Sequence, residues 1–82
     1  MIDTNTSLQD LFNYAVFTLT EVQKDEIFLV NDLYRGFEWN RIAKGNRTKL
    51  GAMFFAYAQE KGANDILPLG KTPQNQQMYK RL

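Results

Sequence analysis

Two apolar stripes with the period of an α-helix, separated and followed by apolar runs too short to be helices, narrow the fold of this chain more than any other feature. The first stripe is Leu8, Leu11, Phe12, Ala15, Val16 and Leu19, and the second is Leu50, Met53, Phe54, Tyr57 and Ala58. Spacings of i, i+3 and i+4 place each set on one helical face. Ser7 with Asp10 three residues later reads as a capping box, with Thr4 or Thr6 able to cap one turn earlier, so a first helix is predicted over about Leu8–Val22. Tyr14, Phe17 and Val22 widen its stripe, which suits core packing or a second contact with a partner. Asn46, following Gly45, looks like the cap of a later helix over about Arg47–Lys61. Gly62 is expected to end that helix as a left-handed residue, with Lys61 well placed for the helix dipole. Gly51 leaves a close-approach spot on one face, and Phe55, off the main stripe, is expected to pack against a neighbouring element.

Between the stripes, Gln23–Glu26 is a polar break and Ile27–Val30 is rich in strand formers, which predicts a short strand. Asn31 or Asp32 can cap a second short helix that includes Leu33 and Tyr34 and is interrupted near Gly36. Phe37, Trp39 and Ile42 supply large apolar anchors in GFEWNRIAKGN, a segment that reads as a helical turn or as a packed loop. After the last helix, Asp65–Leu69 and about Gln76–Arg81 flank the turn residues of GKTPQN and read as a β-hairpin with a polar tip. Pro68 lacks a backbone donor and predicts an edge position for the first arm. NQQMYKRL also has helix propensity, so strand and helix both stay open for residues 76–81. The element order predicts one α+β domain over residues 1–82: a small winged helix-turn-helix-like domain with three helices plus a C-terminal β-hairpin.

Eighty-two residues, 44% of them hydrophobic and including six Phe, four Tyr and one Trp, can fold on a single modest core. There is no Cys, which excludes disulfides and suits a reducing cytoplasm, and no His, which removes the commonest general base and zinc ligand. No apolar run approaches the roughly 20 residues of a membrane span, and MIDTNTSLQD does not read as a signal peptide. A cytoplasmic protein without membrane attachment is expected. Glu38, Glu60 and Asp65 show no spacing of an acid/base pair, and Ser7 and the threonines have no His to activate them. Gly70-Lys71-Thr72 fails as a phosphate-binding loop, because position 65 is Asp and Pro73 follows directly. No enzymatic activity, cofactor or metal is expected.

The net charge of +1 hides a division. Residues 1–34 carry Asp3, Asp10, Glu21, Asp25, Glu26 and Asp32 against Lys24, a net −5, whereas residues 35–82 carry nine cations against three carboxylates, a net +6. Within the basic half, Lys44, Asn46, Arg47, Thr48 and Lys49 crowd the predicted start of the third helix. Cations there oppose ordinary dipole complementarity, and a nearby anion offsets the conflict. Arg47 can pair with guanine or clamp a phosphate, and Asn46 can read adenine or merely cap the helix. The second cluster is Lys71, Thr72, Gln74, Asn75 and Gln76, followed by Lys80 and Arg81; amides and a hydroxyl can donate to phosphate oxygens or base edges. The plainer reading of both clusters is a solvated helix end and an ordinary turn.

The strings Phe28-Leu29-Val30-Asn31-Asp32-Leu33-Tyr34-Arg35-Gly36, Glu38-Trp39-Asn40-Arg41-Ile42, Gly45-Asn46-Arg47, Leu50-Gly51 and Leu69 to Tyr79 carry a resemblance. Over about residues 28–82 the chain resembles a small family, a domain of unknown function found in short proteins of low-GC gram-positive bacteria and their mobile elements. The EWNRI and LGKTxxNQQxY strings are its signature. The resemblance implies kinship and a winged-helix-like fold suited to DNA, and it carries no residue roles.

Two functions fit these observations. The first is a small non-enzymatic DNA-binding module, regulatory or accessory to replication of a mobile element, using the start of the third helix and the hairpin as a wing. In it the acidic first helix faces away from the nucleic acid, towards solvent or a protein. The second is a protein-interaction adaptor of a larger DNA-processing enzyme, suggested by Tyr14, Phe17, Phe37, Trp39 and Phe55, which exceed the evident needs of a small core.

Overall fold

The computed structural model of the chain describes residues 2–82. Helix α1 spans Leu8–Thr18, and Ser7 caps it by accepting a hydrogen bond from the Asp10 N–H at 3.1 Å. It ends earlier than Val22. Thr18 and Thr20 donate their hydroxyls back to the carbonyls of Tyr14 and Phe17, and the chain tightens into a 3-10 turn over Leu19–Glu21. Leu11, Ala15 and Leu19 are the buried face.

Strand β1 is Ile27–Leu29, and a 3-10 turn over Val30–Leu33 follows it. Asp32 holds that turn by accepting from the Leu29 N–H at 2.8 Å. Gly36 does not interrupt a helix but begins one, α2, Gly36–Arg41. GFEWNR is therefore helical. Its anchor is Glu38, buried despite its charge, which accepts from the Arg35 N–H at 3.3 Å, the Ile2 N–H at 3.5 Å and the Tyr14 hydroxyl at 3.5 Å. Arg41 donates to the Ile2 carbonyl at 2.8 Å, so both main-chain groups of buried Ile2 are held by α2.

Helix α3 spans Lys44–Gln59, beginning three residues before the predicted start. Its cap is Ala43, which has no side-chain oxygen, and Asn46 lies inside the first turn without capping it. Helix entry is set instead by extended Ile42, buried in the core, and Ala43, whose carbonyl accepts from the Arg47 N–H at 3.0 Å. Gly62 also departs from expectation, since no glycine has a positive φ. Its requirement is space: a Cβ there would overlap the Tyr57 ring, and the Gly62 N–H donates to the Tyr57 carbonyl at 2.8 Å.

Strands β2, Ile66–Lys71, and β3, Gln77–Arg81, form the C-terminal hairpin. Residues 77–81 are strand, not helix. The antiparallel sheet has the order β1-β3-β2, with Phe28 opposite Tyr79 and Pro68 opposite Tyr79 on the other side. Pro68 thus sits on an edge strand, where its missing N–H costs no ladder bond. The tip is a turn in which Asn75 donates its N–H to the Thr72 carbonyl at 2.8 Å and takes φ 65°, a left-handed value that Asn tolerates. Pro73 suits the second position of that turn. The register shifts between Pro68 and Lys71, and the Leu69 carbonyl freed there accepts from the Gln77 side-chain amide.

Phe54 of α3 meets the sheet edge-on at Tyr79 (5.0 Å between ring centres, 80°), and Phe28 stacks on the same Tyr79 (5.8 Å, 26°). Leu50, Phe54 and Ala58 form the buried face of α3, and α1 packs across it. The result is an α+β domain of three helices and a three-stranded antiparallel sheet, consistent with a small winged-helix-like arrangement.

Candidate functional site

Lys44, Arg47, Thr48, Gly51, Ala52 and Phe55 recur at i, i+3, i+4, i+7, i+8 and i+11, so α3 has a second face beside its core stripe. That face forms one wall of a groove of about 800 Å³. The hairpin tip forms the other wall with Lys71, Gln74, Asn75 and Gln76, and Asn31, Trp39 and Tyr79 also line it. Both clusters singled out in the sequence therefore meet across one concavity. Three of its lining residues are cations and none is a carboxylate.

Arg47 is the most constrained of the cations. Its Nε donates to the Ile42 carbonyl at 2.9 Å, and its guanidinium lies over the Trp39 ring, 5.6 Å from the centroid. Its terminal nitrogens make no hydrogen bond among the described residues, which leaves them free for a bidentate acceptor. Lys44 and Lys71 are exposed on the two sides of the groove. The N–H groups of the first α3 turn have no side-chain cap, so their partial positive charge adds to that of the lysines.

Lys49 is exposed on α3 but outside the lining, and Asn46 is half-buried in the first turn and also outside it. Thr72 belongs to the turn, its hydroxyl accepting from the Gln76 N–H at 3.2 Å. Lys80 and Arg81 lie at the other end of β3, within 3.7 Å of Asp25 and 3.9 Å of Asp65 respectively. Gly70 and Lys71 end a strand and no helix follows, so the Gly70-Lys71-Thr72 string is part of the hairpin, not a phosphate loop.

Trp39, expected as a large apolar anchor, is only half-buried, and its indole N–H finds no partner among the described residues. Its ring is tilted against Tyr34 at 5.5 Å on the core side. Phe37 is not an inward anchor: it is 48% exposed, between Arg35 at 6.0 Å and Arg41 at 4.9 Å. Phe17 is 69% exposed on α1. Sequence reasoning overlooked Trp39, Phe55 and Asn31 as groove residues; the i, i+3, i+4 repeat from Lys44 to Phe55 was the signal available for Phe55.

Burial raises the phenols of Tyr34 and Tyr79 above the ordinary value, Tyr79 to about 12, and Tyr14 beside Tyr34 adds to the effect there. Among the described residues no three carboxylates gather into a metal-ligand cluster, and no helix is long and apolar enough to cross a membrane.

A three-helix α+β domain with a cationic groove between a helix start and a terminal hairpin is the class that this geometry defines. The chain belongs to the family described as a domain of unknown function, DUF1413, whose model matches residues 13–81. No curated protein and no solved structure matches the chain.

Proposed function

We propose that the chain is a small non-enzymatic DNA-binding module whose interface is the groove between the start of α3 and the hairpin tip. The convergence of Lys44, Arg47 and Lys71 with the amides of Gln74, Asn75 and Gln76, with no carboxylate in the lining, carries this reading. Lysines on both sides supply charge for phosphates, the free end of Arg47 supplies a paired donor, and Thr48 adds a hydroxyl. The carboxylates of residues 1–34 lie outside the lining, which leaves the groove walls themselves without negative charge. The arrangement uses its elements as a winged helix would. A cysteine-free chain suits the cytoplasm, and a regulatory or replication-accessory role on a mobile element is the setting that belongs to this reading.

Binding to labelled DNA across a range of salt concentrations tests the reading. Affinity is expected to fall with salt at a log–log slope of about −0.9 per phosphate contact on duplex, or about −0.7 on single strands. Lys71→Ala flattens that slope by about one contact, whereas neutralising Asp10 or Glu21 does not weaken binding. Absence of salt-sensitive association with any nucleic acid refutes the proposal. It would favour the adaptor reading instead, for which the exposed Phe17 on the acidic helix is the supporting observation.

A further inference from the structure

The groove is not only cationic. Trp39, with Arg47 over its ring, and Phe55 give it flat, polarizable walls. Gly51 lies between them in the interior of α3, where glycine costs about 1 kcal/mol relative to alanine. A Cβ at Gly51 would meet no other group within 4 Å, so nothing in the protein's own packing requires its absence. What the glycine provides is clearance above the helix backbone in the groove wall.

Phosphates alone need none of these features. A nucleobase uses them: its flat faces stack on aromatic or guanidinium planes, and it needs clearance to enter between them. In a closed duplex the faces are covered by neighbouring bases and only edges are offered. Lys44 and Lys71 flank the same space, where they can meet the phosphates on either side of an extruded base. Resting on the DNA reading above, we infer that the groove holds an unpaired nucleobase, so that the target is single-stranded or locally opened DNA.

Trp39 is the only Trp in the chain and reports directly on the groove. Its emission would be followed while the intact protein is titrated with a short single strand, with the same strand carrying abasic sugars, and with the corresponding duplex. The single strand is expected to change Trp39 emission and to bind about tenfold or more tightly than the abasic strand, as loss of a stacked base requires. Gly51→Ala, whose methyl group enters the clearance and meets no other protein group within 4 Å, should keep its cooperative melting. It should lose the preference for bases over abasic sugars. Equal binding of the intact strand, abasic strand and duplex by the unsubstituted protein, with unchanged Trp39 emission, overturns the inference and leaves the DNA reading standing. Lack of salt-sensitive binding to all three overturns both.

Discussion

Replacing Tyr79 by Phe removes one hydroxyl from the middle of the core and leaves the ring in place. The ring is fixed between Phe28 and Phe54, the residue has no exposed surface, and the hydroxyl has no partner among the described residues. A buried polar group without a hydrogen bond costs about 1–3 kcal/mol. Tyr79→Phe is therefore expected to stabilise the domain by about 1 kcal/mol, which at this size raises Tm by about 4–8 °C. The variant should also change the response to alkali. Burial raises the Tyr79 phenol from 10.0 to about 12. The native state thus keeps a proton that the unfolded chain releases, so this contribution is intact below pH 10 and is lost as pH rises from 10 to about 12. At about 1.36 kcal/mol per pH unit the loss tends to about 2.7 kcal/mol, most of it reached by pH 12, and Tyr34, raised for the same reason, adds to it. Urea unfolding at a series of pH values from neutral to 12 would show a shallower alkaline decline in Tyr79→Phe. A variant that is less stable than the parent at neutral pH, with an unchanged alkaline decline, would refute the reasoning.

Gly62→Ala is expected to lower stability by about 1–3 kcal/mol in thermal melts, because its methyl group overlaps the Tyr57 ring. Asn75→Ala should cost about 1–2 kcal/mol for the left-handed turn position while Asn75→Gly costs little, and DNA titration of the stable glycine variant isolates any contribution of the Asn75 amide to binding. Glu38→Ala strands the N–H groups of Ile2 and Arg35 and the Tyr14 hydroxyl, and should cost about 2 kcal/mol or more by urea unfolding.

The elements legible in the sequence were those whose local signals agreed with their packing. Ser7 and the Leu11-Ala15-Leu19 stripe placed α1, and Pro68 with the GKTPQN turn placed the hairpin and its edge strand. Start and stop signals failed where tertiary contacts replaced them. Asn46 is a good cap by residue type, yet burial of Ile42 and the extended Ala43 start α3 earlier, and Gly62 answers to the Tyr57 ring instead of a left-handed φ. Phe37 and Trp39 were misjudged because a six-residue helix has no periodicity long enough to show which face turns inward, and Glu38, not its aromatic neighbours, is the residue that α2 buries completely. The two polar clusters of the groove were visible as composition. Their meeting was not, since it depends on the register of β2 against β3 and on the packing of Phe54 on Tyr79.

In the proposed mode of binding, nucleic acid occupies the groove between α3 and the hairpin. Backbone amide resonances of the labelled protein, followed as a short DNA strand is added, test that placement residue by residue. Shifts are expected along Lys44–Phe55 and Lys71–Gln77 and at the Trp39 indole, with the exposed face of α1, from Gln9 to Phe17, unmoved. Shifts concentrated on α1, or none at any residue while the strand is in excess, would contradict it.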